Sequence, residues 1–412
     1  MTEPNQTYYP KRWISVLLFV YFLIPLAAWG AVDTNSLIIA QLIRQISIGA
    51  FLFIAALIFV KTKSVSKQLV FGIIIFSVII IYGLLRASGH SGARFVIDNF
   101  STDLPLLFGG LFVFSYAIRG YDNTMFVQII LLYVIGWTVF LLVSGRLDIL
   151  PLPSFDFDFR ALGSRAAYSQ GVSKFYGMAA ILAIVAWAYR IRAAPSSGLI
   201  ALSFMCLALS FIGGGRGDSA AAAVLVLAVI GLRSRSILAL STVGVAVGFS
   251  TLAPVLNQLV IVQRFTAIGE SGLGPRGLLY QDAIDLIASR GDCALLGCGF
   301  GSFREFYGYS EGLYVHNILL ESVIVFGIPL SALFIYYTAI GLYNSRFWRS
   351  ASAANLAIIS FYYLMIAMKS GTILGFWFLV SYLVIIMFVP SRYMRGQRQN
   401  RSLNSSGVNN LK

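Results

Sequence analysis

Acidic side chains are scarce in this chain: 16 Asp and Glu stand against 30 Lys and Arg, and only 11% of its 412 residues carry charge of either sign. A soluble domain is about one-quarter charged, so this scarcity excludes an ordinary water-soluble fold. Histidine is scarcer still, with only His90 and His316. Three cysteines are too few for a disulfide-built secreted scaffold. Cys206 falls inside an apolar run as a small hydrophobe, whereas Cys293 and Cys298 share a loop, where pairing stays open. No fixed-period repeat stands out.

What fills the space is hydrophobic sequence, 58% of all residues. Runs of about 17–25 apolar residues cross the hydrocarbon core as helices. Twelve such runs, some of them short, are expected at 13–29, 36–60, 68–85, 104–118, 124–143, 173–189, 199–212, 219–232, 236–256, 317–343, 354–368 and 373–389. The expectation is therefore an all-α polytopic membrane protein, one transmembrane domain over 1–390 with a basic polar tail at 391–412. The first run lacks a small-residue cleavage site and reads as a retained helix.

The excess of positive charge has a topological reading. Placing both termini in the cytoplasm puts Lys11, Arg12, Lys61, Lys63, Lys67, Arg119, Arg190, Arg192, Arg233, Arg235, Arg346, Arg349 and the basic tail on one side, with only Glu3 and Asp122 among the acids. That is the positive-inside pattern. It removes any need for a nucleic-acid partner, whose binding face would be a solvated cationic surface. The other side is nearly neutral yet still carries many arginines.

Two outer loops are too long to be turns, 144–171 and 257–315, and loops of that length usually bind or catalyse. The larger, between spans 9 and 10, holds "RGLLYQDAIDLIASR", with Leu279, Tyr280, Ala283, Ile284 and Ile287 expected on one face of an amphipathic helix that starts near Arg276. The glycine-dense "LLGCGFGSF" follows, where Gly297, Gly299 and Gly301 permit tight turns. The chain then reaches His316 and Asn317 at the start of a long apolar run. A third outer feature, "SFIGGGRGDSAAAA", leaves Arg216 at the lip of the bundle; a salt bridge to Asp218, or snorkelling to headgroups, is the plainer role for it.

In order and spacing, Arg216 in "GGGRG", "QRF" at 263–265, "GPRGLLYQDA" at 274–283, "GCGFGSF" at 297–303 and "HNILLESVIVFG" at 316–327 resemble the O-antigen ligase and O-antigen polymerase superfamily of bacterial membrane glycosyltransferases. The resemblance covers roughly 159–327. It implies a plasma-membrane enzyme whose site faces the periplasm. The donor would be a glycan on undecaprenyl pyrophosphate, and the acceptor a sugar hydroxyl on a lipid-linked repeat or on lipid A core. The implied transfer inverts configuration and needs no metal or cofactor; a chain-length regulator is a further partner to look for.

The chemistry of such a transfer asks for a base and for cations. A neutral imidazole suits removal of the acceptor proton, which makes His316 the expected general base. Guanidinium groups stabilise a departing pyrophosphate through bidentate hydrogen bonds. Arg216 and Arg276 come first, then Arg264, Arg160 and Arg165. Glu321 is placed to orient His316 only if the helix is distorted. Asp156 and Asp158 in "SFDFDF" have the spacing of a divalent-cation pair, the alternative in which a metal is needed. Polymerases of the resembled superfamily carry an arginine followed by glycine after about ten intervening residues in two outer loops, and Arg160 with Gly171 and Arg290 with Gly301 match that pattern, so the resemblance tilts the reading slightly towards polymerase over ligase. Twelve spans also describe transporters and lipid flippases, which place their polar groups near the midplane; here they gather at the outer face.

Overall fold

The computed structural model describes residues 11–31, 34–62, 66–87, 91–145 (91–103 as backbone only), 170–212, 215–236, 239, 275–309, 314–345, 350–373 and 375–388. Among these the secondary structure is entirely helical. The long helices are α1 (Lys11–Gly30), α2 (Thr34–Thr62), α3 (Lys67–Arg86), α4 (Ser91–Ala117), α5 (Asn123–Val143), α6 (Gln170–Ala188), α7 (Ser196–Ile212) and α8 (Arg216–Arg233). After residues outside the description come α9 (Pro275–Ser289), the short α10 (Gly291–Leu296) and α11 (Ser302–Tyr307), then α12 (Ile318–Ser345), α13 (Ala351–Ser370) and α14 (Trp377–Ile386). Every expected span coincides with a helix except 236–256, which lies outside the described residues but for its first positions. Seven helices are long and apolar enough to cross a membrane, and the apolar parts of α4, α7 and α14 are shorter.

Burial sorts these helices. α6 is the most enclosed of the spans, packed by α7, α8, α1, α5 and α13, while α2 and α3 are the most exposed. Leu42, Ile46, Leu52, Phe53, Phe71 and Ile81 on those outer helices face outward. So wide an apolar exterior is unstable in water and natural in lipid; the chain is a multi-pass helical membrane protein. At the centre, Tyr21 meets Trp377 at 5.0 Å and Phe22 meets Phe378 at 4.4 Å between ring centroids. The Tyr21 hydroxyl donates to the Leu106 carbonyl at 2.9 Å and Ser381 Oγ to that of Leu107 at 2.8 Å, so these two buried hydroxyls are satisfied.

Two further groups of polar contacts lie at opposite ends of the helices. At one end Arg119 donates to Gln68 Oε1 at 3.2 Å, Ser15 to the Asp122 carbonyl at 2.8 Å, Tyr121 to the Ser352 carbonyl at 3.0 Å and Asn355 to Asn123 at 2.8 Å. At the other, residues 83–87, 173, 215–218, 297–300, 321–325 and 369–373 meet.

α12 is broken at this second end. Gly327 has φ 82° and ψ 163°, and Pro329 follows. Proline has no N–H to offer the Val325 carbonyl four residues back, and the left-handed glycine carries the Ile328 amide away from Ile324. The two freed carbonyls are taken by the glycine-dense loop: Cys298 N–H donates to Ile324 O at 2.7 Å and Gly299 N–H to Val325 O at 3.2 Å. On the loop's other side, Phe300 N–H donates to Gly83 O at 3.2 Å and Arg86 Nε to Gly297 O at 2.9 Å, and Tyr82 donates to the Leu296 carbonyl.

Candidate functional site

The site is built where α9 passes the entrance to α12. Asn317 starts that helix: its Oδ1 accepts from Leu319 N–H at 3.0 Å and Leu320 N–H at 3.1 Å, the N-cap arrangement that satisfies otherwise orphaned amides. Immediately before it, His316 adopts φ 54°. A left-handed backbone at a residue with a Cβ costs about 1–2 kcal/mol, and such strain persists only where neighbours hold it. Here they do. The Tyr280 hydroxyl reaches the His316 carbonyl at 3.5 Å, and the Tyr314 ring lies 3.8 Å from the imidazole, centroid to centroid.

α9 brings Arg276 and Tyr280 to this point. Its buried face is Leu279, Ala283 and Leu286, which form a small second core with Phe303, Val315 and Ile324. The expected face is corrected at one position: Ile284 is 55% exposed and Leu286 takes the buried place. The cause is the partner, since the helix is rotated to lay Leu286 against the start of α12 rather than to centre its most apolar stripe. Half-burial lowers the His316 pKa from its ordinary 6.5, and the neighbouring Arg276 guanidinium lowers it further. The imidazole is therefore neutral at neutral pH, the form able to accept a proton. Its Nδ1 is buried without a hydrogen-bond partner. Burial, and then Glu321, push the Tyr314 phenol up to about 12, so that group stays uncharged.

Arg276 and His316, singled out separately in the sequence, are thus within electrostatic reach of one another. Gly297, Gly299 and Gly301 have φ of 74°, 84° and 76° and thread the loop between α3 and the break in α12. A Cβ on Gly299 would overlap the Ala87 backbone, and one on Gly297 the Val325 carbonyl. Cys293 and Cys298, left open by the sequence, are joined as a disulfide around α10. Arg290 pairs with Asp292 at 3.6 Å and lies over the Phe306 ring at 5.7 Å.

Of Arg216 only the backbone is described, at the first turn of α8. Asp218, its neighbour, is fully buried and pairs with Lys369 at 3.1 Å, so the partner considered for Arg216 is held by another cation. Gly217 makes room for that lysine. Glu321 Oε2 accepts from the Ile373 amide at 2.8 Å, a different task from orienting the imidazole, in a stretch of helix without distortion. The segment from Lys369 to Ile373 consequently spans from the Arg216 turn to the His316 helix. Arg160, Arg165, Arg264, Asp156, Asp158 and His90 lie outside the described residues.

Sequence reasoning missed Tyr314, Lys369, Tyr82 and Arg86. Tyr314 and Arg86 had a signal in "GLYVHN" and "LLRASGH": a polar-tipped side chain at a helix boundary beside a motif. Lys369 had only its place at the end of an apolar run.

Below this cluster an apolar cavity of about 1060 Å³ runs between α3, α12, α13 and α14. Leu296, Ile318, Leu319 and Ile373 line its upper part, beside the His316 segment, and Phe334, Leu383 and Met387 its depth. The upper part of a long apolar cavity therefore lies at the same end of the bundle as Arg276 and His316. No known protein-family model matches this chain, and no curated protein matches it either.

Proposed function

We propose that the protein transfers a glycan from a polyprenyl-pyrophosphate carrier to a sugar hydroxyl, at the outer face of a bacterial plasma membrane. The observation that carries the reading is a neutral His316 within electrostatic reach of Arg276, beside the segment that lines the upper part of the apolar cavity. A lipid-linked pyrophosphate needs an apolar channel for its tail, cations at its head and a base for the attacking hydroxyl, in that order from the membrane outward. In this reading the hydroxyl proton passes to His316 as the acceptor oxygen attacks the anomeric carbon. The bond to the pyrophosphate oxygen breaks, and the lipid pyrophosphate leaves with the electron pair, its charge met by Arg276 and Arg216. The orphaned Nδ1 is a buried polar atom that bound substrate or its water can satisfy. Between acceptors, another lipid-linked repeat is preferred to lipid A core, on the arginine–glycine spacing in the loops.

The test is reconstitution in proteoliposomes with a glycan-loaded polyprenyl pyrophosphate. Lengthening of the lipid-linked glycan supports a polymerase, and transfer to added lipid A core supports a ligase. Movement of the donor across the bilayer with no new glycosidic bond overturns the reading in favour of a flippase. Transfer should persist in EDTA; dependence on added Mg²⁺ or Mn²⁺ would return Asp156 and Asp158 to the site.

A further inference from the structure

Tyr314 and His316 stand two residues apart in the non-helical segment before α12, a spacing that puts side chains of an extended chain on the same side. The left-handed backbone at His316 then turns the chain into its helix while the imidazole falls back on the phenol. The rings meet at 3.8 Å with their planes 37° apart.

We propose that Tyr314 is the positioning residue for His316, its ring covering one face of the imidazole so that the side chain keeps a single direction and one side is closed to water. Near the imidazole stand Arg276 from α9, which acts on it directly, Tyr280, whose hydroxyl reaches the His316 carbonyl, Tyr314 on its own segment, and Glu321 from α12, which acts on Tyr314. Arg276 repels a proton. Tyr314 is the closest ring and is neutral, so it offers no anion to draw a proton in. Glu321, the acid of the group, has its Oε2 engaged by the Ile373 amide. A tyrosine here shields without charging, which a carboxylate in the same place would not do.

The catalytic half of this inference rests on the transfer reading, while the titration half does not. In a His90→Gln protein, His316 is the only imidazole, and ¹³C-labelled histidine in lipid nanodiscs reports its titration directly. The expected midpoint lies below the ordinary 6.5. Tyr314→Phe should leave it there, whereas Tyr314→Ala should raise it towards 6.5, because the exposed face gains water. In the transfer assay Tyr314→Ala should lower kcat roughly 10-fold, part of what a well-placed base supplies, with the donor KM unchanged, and Tyr314→Phe should recover it. An unmoved midpoint in folded Tyr314→Ala overturns the proposal, and so does a parent midpoint at or above 6.5. Should Tyr314→Ala fail to fold, Tyr314→Leu fills the space without the flat ring and decides in its place. A midpoint that moves as expected in a protein that transfers no glycan would retain the positioning role and remove the transfer reading.

Discussion

The two ends of the bundle are held in different ways. At the end of Lys11, Gln68, Arg119, Asp122 and Asn355, contacts are neutral or singly charged, α5 begins with a cap in which Asp122 accepts from Met125 N–H, and the irregularities are scattered: a left-handed Arg190 and one unpartnered buried amide atom each on Asn123 and Asn355. At the end of Arg86, Asp218, His316 and Lys369 there is a buried ion pair, a broken helix, a left-handed histidine and an unpartnered imidazole nitrogen. Single irregularities of this kind occur at both ends; where a broken helix, a buried ion pair and a strained titratable residue persist together, binding or chemistry is the usual reason. On that difference we read one end as scaffold and propose the other as the site.

The largest expected break in that comparison is His316→Ala, which should cut transfer by about 10²–10⁴-fold, the range of a lost general base, while insertion and thermal stability stay near the parent. Asn123→Ala at the scaffold end should do the reverse, reducing stability and sparing turnover. Equal turnover in His316→Ala and parent would move the base elsewhere.

Next comes Arg276→Ala, expected to lower kcat by about 10²–10³-fold, as loss of a charge-stabilising group does. Lysine should restore little, because it cannot form the two-pronged contact. The residual activity should carry a second signature. Arg276 depresses the His316 pKa, so its removal raises that pKa and activity should begin to fall at a higher pH on acidification, nearer 6.5. An acid limb that stays put separates Arg276 from the imidazole.

A glycine pair sharpens the contrast in stability. Gly299→Ala forces a side chain onto a left-handed backbone, about 1–2 kcal/mol by itself, and against Ala87 besides; Tm and yield in detergent should drop. Gly136→Ala, in a helix where nothing lies within 4 Å of a new Cβ, should stabilise by about 0.5–1 kcal/mol. Similar Tm values for the two would mean that the loop is not clamped.

The smallest effect is expected from Asn317→Ala, worth about 0.5–2 kcal/mol for a lost cap. Because the cap adjoins His316, kcat should fall along with Tm, whereas Asn355→Ala should lower Tm alone.

The helices were legible because lipid demands an unbroken apolar run of fixed length, a property any single stretch of chain displays. The two candidates His316 and Arg276 were legible because a titratable ring and a guanidinium are conspicuous in so apolar a sequence. Their proximity was not, since it depends on how α9 packs; of the face expected to be apolar, Ile284 stays 55% exposed while Leu286 is buried. Lys369 and Asp218 are 151 residues apart and neither alone announces the pair. The break in α12 was half visible: "FGIPL" contains the glycine and the proline, but nothing local tells which residues receive the freed carbonyls.

That break has a consequence for how the protein is made. The glycine-dense loop at 297–301 precedes α12 in the chain and is synthesised first. When α12 enters the bilayer, its carbonyls at Ile324 and Val325 lack helical partners, and each unsatisfied group in hydrocarbon costs several kcal/mol. Lodging this helix therefore waits on a segment already made, and a side chain that keeps the loop from docking should be seen by the cell as a shortage of inserted protein before any loss of function is seen.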